Sequence, residues 1–296
     1  MDLAEFFWYL FHDLNLAPMT VKGYRSALAS VLVHSAPKCI QDSRLSSLLT
    51  SMSLERPVSR SFFPRWDLDT VLRMLMTSPF EPLQSCSLKD LTCKTLFLLA
   101  LASGRRRGDL HALSVDDSCF LVLPDHQGIK LLTEPGYLAK TQLPSASSQN
   151  IFIPDLANRN GVDYQSPSYK LCPTRALLRY RKFTRSIRGD RKKLFISYDM
   201  RKHTDVTPST MSRWLISTIK RAYDAVDRPE VCRAHEIRAL STSYARLNSV
   251  PFSEIMQAAT WRSETTFARH YYRSLARAAP YLHQLGPLAV AQHILH

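Results

Sequence analysis

Apolar residues recur at helical spacing through most of the chain, and only one central stretch breaks that period. Leu3, Phe6, Phe7, Tyr9, Leu10 and Leu14 form a broad stripe that predicts a first helix. Pro18-Met19-Thr20 opens a second, in which Ala27, Leu28, Val31 and Leu32 recur; Thr20 is the expected N-cap, its hydroxyl accepting from a backbone N–H one turn in. A third helix is expected around Ser43 to Ser53, carrying Leu45, Leu48 and Leu49. The stretch from Glu55 to Arg65 then holds two prolines, three arginines and no helical period, the mark of a linker. Beyond it, helices are expected near 67–77, 87–103 and 106–113. Short apolar runs follow at Cys119–Leu123, Ile129–Leu132 and Ile151–Pro154, separated by turn-rich segments, which predicts a small antiparallel sheet. Helices resume at Pro173–Ile187, after Thr207-Pro208, and near 233–248, 252–260 and 264–274.

This order gives an α+β fold, mainly α with a small antiparallel sheet, in two domains: a helical one over 1–57, a linker over 58–65 and a larger one over 66–296. A chain of 296 residues that is 45% hydrophobic with 8 glycines has enough apolar surface to order throughout. Charge narrows the picture further. With 39 Lys+Arg against 25 Asp+Glu the net charge is +14, which favours a polyanionic partner through counterion release. The six cysteines are scattered without metal-ligand spacing and read as reduced thiols; no metal and no cofactor is implied. The N-terminus carries no signal-peptide pattern, and the apolar runs are too short to span a bilayer, so no membrane partner is expected. Arg105-Arg106-Arg107 and Arg191-Lys192-Lys193 are basic runs of the kind that serve nuclear import and also of the kind common on any basic surface.

Four features carry candidate chemistry. In Ser103-Gly104-Arg105-Arg106-Arg107-Gly108-Asp109, Arg106 and Asp109 stand three apart after a long apolar helix, so that a guanidinium faces a phosphate while the carboxylate orients it or the backbone; the plain alternative is a surface ion pair. In His235-Glu236-Ile237-Arg238, the two basic residues share a helical face that Glu236 leaves. Trp261 precedes the run Thr266-Phe267-Ala268-Arg269-His270-Tyr271-Tyr272, and Lys140 sits in a turn after the second strand. None of these is specific by itself.

In order, Arg106, Lys140, His235-x-x-Arg238, Trp261 and Tyr271 resemble the active-site series of tyrosine recombinases, the family of phage integrases, Xer proteins and Cre, and the match covers almost the whole chain. The wording of Arg65-Trp66-Asp67-Leu68-Asp69, Thr95–Ser103 and Thr266–Tyr271 is closest to the recombinases of DIRS-type retroelements. Trp261 stands where many bacterial relatives carry histidine, and the tyrosine lies one position later than in those enzymes. The resemblance implies a C-shaped clamp with an N-terminal core-binding domain, in which Thr20, Lys22, Tyr24, Arg25 and the linker's Arg65 would face DNA; an ordinary solvated face is the alternative for that helix. About three helices fit where four are usual, which implies that upstream coding sequence supplies another. It also implies double-stranded DNA as partner, a homotetramer exchanging a C-terminal segment such as Leu285–Ile294, and action in the nucleus.

The implied chemistry explains these residue types. A tyrosine has an ordinary pKa of about 10, so its attack on a phosphodiester at neutral pH needs electropositive surroundings or a base that accepts the phenolic proton, and His235 would be that base. Arg106 and Arg238 would hold the non-bridging oxygens, Trp261 would donate its indole N–H to the same phosphate, and Lys140 would protonate the leaving 5′ oxygen. The product is a 3′-phosphotyrosyl link. Rival readings are a domesticated DNA-binding protein that keeps the fold without activity, a type IB topoisomerase sharing the chemistry, and an RNA-binding protein, which lacks support from any aromatic-rich strand motif.

Tyr271 and Tyr272 project about 100° apart on a helix, so only one faces the phosphate. On the DIRS-like pattern Tyr271 is the nucleophile. Tyr271→Phe should abolish the protein–DNA adduct on a nicked duplex while Tyr272→Phe retains it, and the reverse result would reassign the attack.

Overall fold

The structure, a computed structural model, describes residues 2–32, 42–57, 64–139, 150–157, 163–199 and 206–260. The chain divides into two compact units, Met1–Ser61 and Phe62–His296. The described residues are mainly helical, with one three-stranded antiparallel sheet.

The first unit contains α1 (Leu3–His12), α2 (Pro18–Leu32) and α3 (Ser43–Glu55). Asp2 opens α1 through a reciprocal cap: its carboxylate accepts the Glu5 N–H, and Glu5 accepts the Asp2 N–H. Phe7, Leu10, Phe11, Val21, Leu45, Leu49 and Met52 form the core. Tyr9 and Leu14, expected on the apolar stripe, are exposed, because the buried face runs through Phe7, Leu10 and Phe11 and turns them outward. Thr20 is not the N-cap. The helix starts two residues earlier, at Pro18, whose fixed φ suits a first helical position, and the Thr20 N–H already bonds back to the Ala17 carbonyl. Arg56 closes the unit by stacking on the Phe11 ring and donating to Asn15 Oδ1 and to the Phe11 carbonyl.

The second unit is built around α5 (Leu88–Ser103), preceded by α4 (Leu68–Leu75). Ser87 caps α5 by accepting the Asp90 N–H, and Gly104, at φ +58°, ends it in a left-handed turn that suits glycine. From Leu91 to Ser103 every residue of α5 is buried. Such a helix must be covered on all sides. It packs against α8 (Pro173–Thr184), α9 (Pro208–Arg221), α10 (His235–Leu247) and the sheet. The sheet runs β1 (Phe120–Val122), β2 (Gly128–Leu131), β3 (Ile151–Pro154), with Phe120 opposite Leu131 and Ile129 opposite Ile153, all four buried. At Gly128 a Cβ would lie 2.1 Å from the Ile153 carbonyl oxygen, so the β2–β3 pairing requires glycine there. The short helices α6 (Arg107–His111) and α7 (Pro167–Lys170), with α11 (Phe252–Ala259), complete the described elements. The helix expected near 264–274 lies outside the described residues.

Four of the arginines in and just after α8 are engaged by the fold, while Lys182 and Arg185 are exposed. Arg175 binds Glu81 through both terminal nitrogens, Arg179 donates to the Leu83 and Gln84 carbonyls, Arg181 pairs with Asp117, and the Arg188 guanidinium beyond its end is buried against the Lys193 and Leu194 carbonyls. Inside α5, Lys94 is fully buried and bonded to Glu81 and to the Leu75 carbonyl. Burial lowers its pKa to about 8 against 10.5 for the free side chain, outweighing the attraction of Glu81. For Glu81, burial opposes ionisation, but the Arg175 hydrogen bonds and the Lys94 charge outweigh it and hold the carboxyl below its ordinary value.

Glu81→Ala should therefore cost about 3–5 kcal/mol, because it strands a buried ammonium. The unfolded chain keeps the Lys94 proton between pH 8 and 10.5 while the folded chain sheds it, so folding stability rises with pH across that window. Denaturant titrations should show this rise in the native protein relative to Lys94→Met, and parallel profiles would refute the assignment.

Candidate active site

The left-handed turn at Gly104 throws the chain from α5 into a corner of three arginines. Arg105 is buried and donates to the Asn150 carbonyl at 3.2 Å, which ties the start of β3 to the corner. Of the 105–107 run, Arg105 is thus taken into the fold while Arg107 is exposed. Arg106 is half-buried with extended backbone (φ −72°, ψ 152°), and α6 begins at the next residue. Its N–H is held by Asp109 Oδ2 at 3.1 Å, and its Nη1 donates to Thr260 Oγ1 at 3.2 Å. Asp109 is buried, and its other oxygen accepts from the Tyr137 hydroxyl at 2.9 Å. The surface ion pair considered for this motif is therefore replaced by a buried carboxylate bonded to a backbone amide and a phenol. Arg107 reaches Ser212 on α9 at 3.2 Å.

The second part is the start of α10. His235 is its first residue and exposed, while Arg238, one turn on, is 4% exposed and donates to the Ala259 carbonyl at 2.5 Å. Glu236 points away from both, accepting the Arg233 N–H and the Trp66 indole N–H at 2.9 and 3.0 Å. That contact fixes the helix start from outside the site. Ser241 Oγ donates to the Leu101 carbonyl at 2.6 Å, which locks α10 to the last turn of α5. Both Arg106 and Arg238 thus reach the end of α11, at Thr260 and Ala259.

These pieces line a cleft of about 640 Å³ walled by Arg105, Arg106, Arg107, Arg233, His235 and Arg238, with Ser212, Tyr137 and Asp109. Asp109 is the one carboxylate among the described lining residues, and both of its oxygens are engaged. The positive end of the α10 dipole adds to the field. The arrangement suits an oxyanion with several acceptor oxygens. Among the described residues there is no group of three His, Cys, Asp or Glu side chains able to hold a metal ion, and no helix long and apolar enough to cross a membrane. The five described cysteines are buried free thiols.

Of the residues singled out from sequence, Arg106, His235 and Arg238 meet in this cleft, whereas Lys140, Trp261 and Tyr271 lie outside the described residues. Thr20, Lys22, Tyr24 and Arg25 sit on α2 of the first unit. There Tyr24 packs edge-on against Phe6 and Arg25 donates to Ser46 on α3, so both also hold the helices together. Arg65 lies 3.9 Å from Glu230. Sequence reasoning placed neither Tyr137 nor Arg233 and Thr260 at the site. Arg233, two residues before His235, carried the one local signal, its positive charge.

No family model matches the chain, and no curated relative matches it. Solved structures do show similarity of trace. The lambda integrase dimer bound to a COC' core site is 18% identical over 90% of this chain and 64% of that one, with a TM-score of 0.48. XerA recombinase is 16% identical over 94% and 82%, with a TM-score of 0.47. The FLP recombinase–Holliday junction complex is 14% identical over 88% and 57%, with a TM-score of 0.40. The chain thus spans less than two thirds of the lambda integrase and FLP chains.

Inorganic phosphate should bind this cleft, and Arg106→Ala should weaken it by roughly tenfold or more, the loss expected for a charge-assisted hydrogen bond. Calorimetric titration with equal affinity in both proteins would remove Arg106 from the anion site.

Proposed function

We propose that this chain is a tyrosine-type site-specific DNA recombinase that cleaves and rejoins strands through a 3′-phosphotyrosyl intermediate. The observation that supports this reading is the convergence of Arg106, His235 and Arg238, far apart in sequence, on one arginine-walled cleft. In the proposed reaction the Tyr271 phenol attacks phosphorus and gives its proton to His235. The phosphorus–5′ oxygen bond breaks, and Lys140 protonates that oxygen. Arg106 and Arg238 take up the charge that develops on the non-bridging oxygens, with Trp261 as a further donor. The phosphotyrosyl bond conserves the energy of the diester, so a second 5′ hydroxyl reverses the attack without ATP.

The finer reading is integration of a DIRS-like mobile element in the nucleus, by a tetramer on double-stranded DNA that exchanges its C-terminal segment. Wording around Arg65, Thr95–Ser103 and Tyr271 supports the DIRS relation, and the net charge of +14 supports the polyanionic partner. Lys22, Tyr24, Arg25 and Arg65 are proposed to follow the DNA backbone.

A duplex carrying the repeats that flank the native gene, nicked beside the cleavage site, should trap a denaturant-resistant protein–DNA adduct. Arg106→Ala and Arg238→Ala should each slow trapping by about 10²–10³-fold while only modestly weakening duplex binding. Tight duplex binding by the native protein with no adduct would overturn the enzyme reading in favour of a DNA-binding protein that keeps only the fold.

A further inference from the structure

Tyr137 lies in the loop after β2 and has no part in the proposed proton transfers, yet its hydroxyl donates to the cleft's buried carboxylate. We infer that Tyr137 is a positioning residue that sets Arg106 for the phosphate by holding Asp109, a role that rests on the recombinase reading for its effect on strand cleavage.

Three observations carry this. First, the chain of contacts is continuous: the Tyr137 hydroxyl donates to Asp109 Oδ1 at 2.9 Å, and Asp109 Oδ2 accepts the Arg106 N–H at 3.1 Å. Arg106 is where extended backbone gives way to helix, so the direction of its guanidinium follows from how that amide is held. Second, Asp109 is 3% exposed and shares the cleft with several guanidiniums. A carboxylate free to rotate there would pair with one of them and cancel the charge meant for the phosphate. A neutral phenol on one oxygen and a backbone amide on the other satisfy it without consuming an arginine. Third, Gly108 makes room for the phenol. A Cβ at that position would lie 3.2 Å from Tyr137 Oη, tight enough to displace the hydroxyl by a few tenths of an ångström.

The phenol also stays protonated. Burial first, then the Asp109 charge, push its pKa above the ordinary tyrosine value, so Tyr137 is a standing donor at any pH at which the protein works.

Tyr137→Phe deletes one oxygen and keeps the ring. Amide hydrogen exchange at Arg106 should accelerate by roughly tenfold in this variant as Asp109 loosens. Trapping on the nicked duplex should slow by about tenfold to a hundredfold, with duplex affinity within about twofold, since the loss is one of alignment. Gly108→Ala should slow trapping in the native background and add little in Tyr137→Phe, where the clash partner is gone; this coupling is what a merely structural role lacks. Unchanged Arg106 exchange in Tyr137→Phe would overturn the inference whether or not the native protein traps DNA. Faster exchange with an unchanged trapping rate would also overturn it. Faster exchange in a protein whose native form never traps DNA would keep the Tyr137–Asp109–Arg106 link and sink the recombinase reading instead.

Discussion

A helix buried on every side is the constraint from which the second unit follows. Leu91 to Ser103 has no solvent face, so α8, α9, α10 and the sheet must each supply one wall, and the helix can neither slide nor rotate without opening cavities. That rigidity fixes where α5 ends. Gly104 turns the chain there, Arg105 catches the start of β3, and Ser241 hangs α10 from the Leu101 carbonyl. Arg106 and the His235–Arg238 turn therefore meet because both are registered against the same last turn of one immobile helix.

The charge of the molecule is divided by the same packing. Guanidiniums at Arg175, Arg179, Arg181 and Arg188 are engaged by Glu81, Asp117 and main-chain carbonyls, so a helix that reads as strongly basic contributes chiefly to cohesion. At the cleft the reverse holds. Several guanidiniums face a common space with one carboxylate, and that carboxylate is occupied by an amide and a phenol. Holding like charges together costs folding energy, and an oxyanion in the cleft relieves that cost, which converts fold stability into affinity for the anion.

Most of the elements were legible along the chain because their signals are local. Thr207-Pro208 marks a helix start through the geometry of the first turn, and the structure uses it so. Of the three apolar runs, the first forms a strand shortened by one residue at each end, the second a strand that starts and stops one residue earlier, and Ile151–Pro154 coincides with its strand. Local signals misled where two of them competed. At the start of α2 the proline outranked the threonine as the helix opener, and on α1 the aromatic Tyr9 fits the apolar stripe by composition while its direction leaves it exposed.

The sequence by itself determined the net charge and the order and kind of the described elements apart from the short helix α7, since residue type and spacing carry that information; Arg106, His235 and Arg238 were singled out only by the resemblance of their order along the chain. Only the tertiary structure decided which cations are spent on the fold and which face the cleft, and that Asp109, Tyr137 and Gly108 form one unit beneath Arg106. The reason is physical: a guanidinium's role depends on the acceptors within about 3 Å of it, and those come from residues dozens of positions away, which no local pattern encodes.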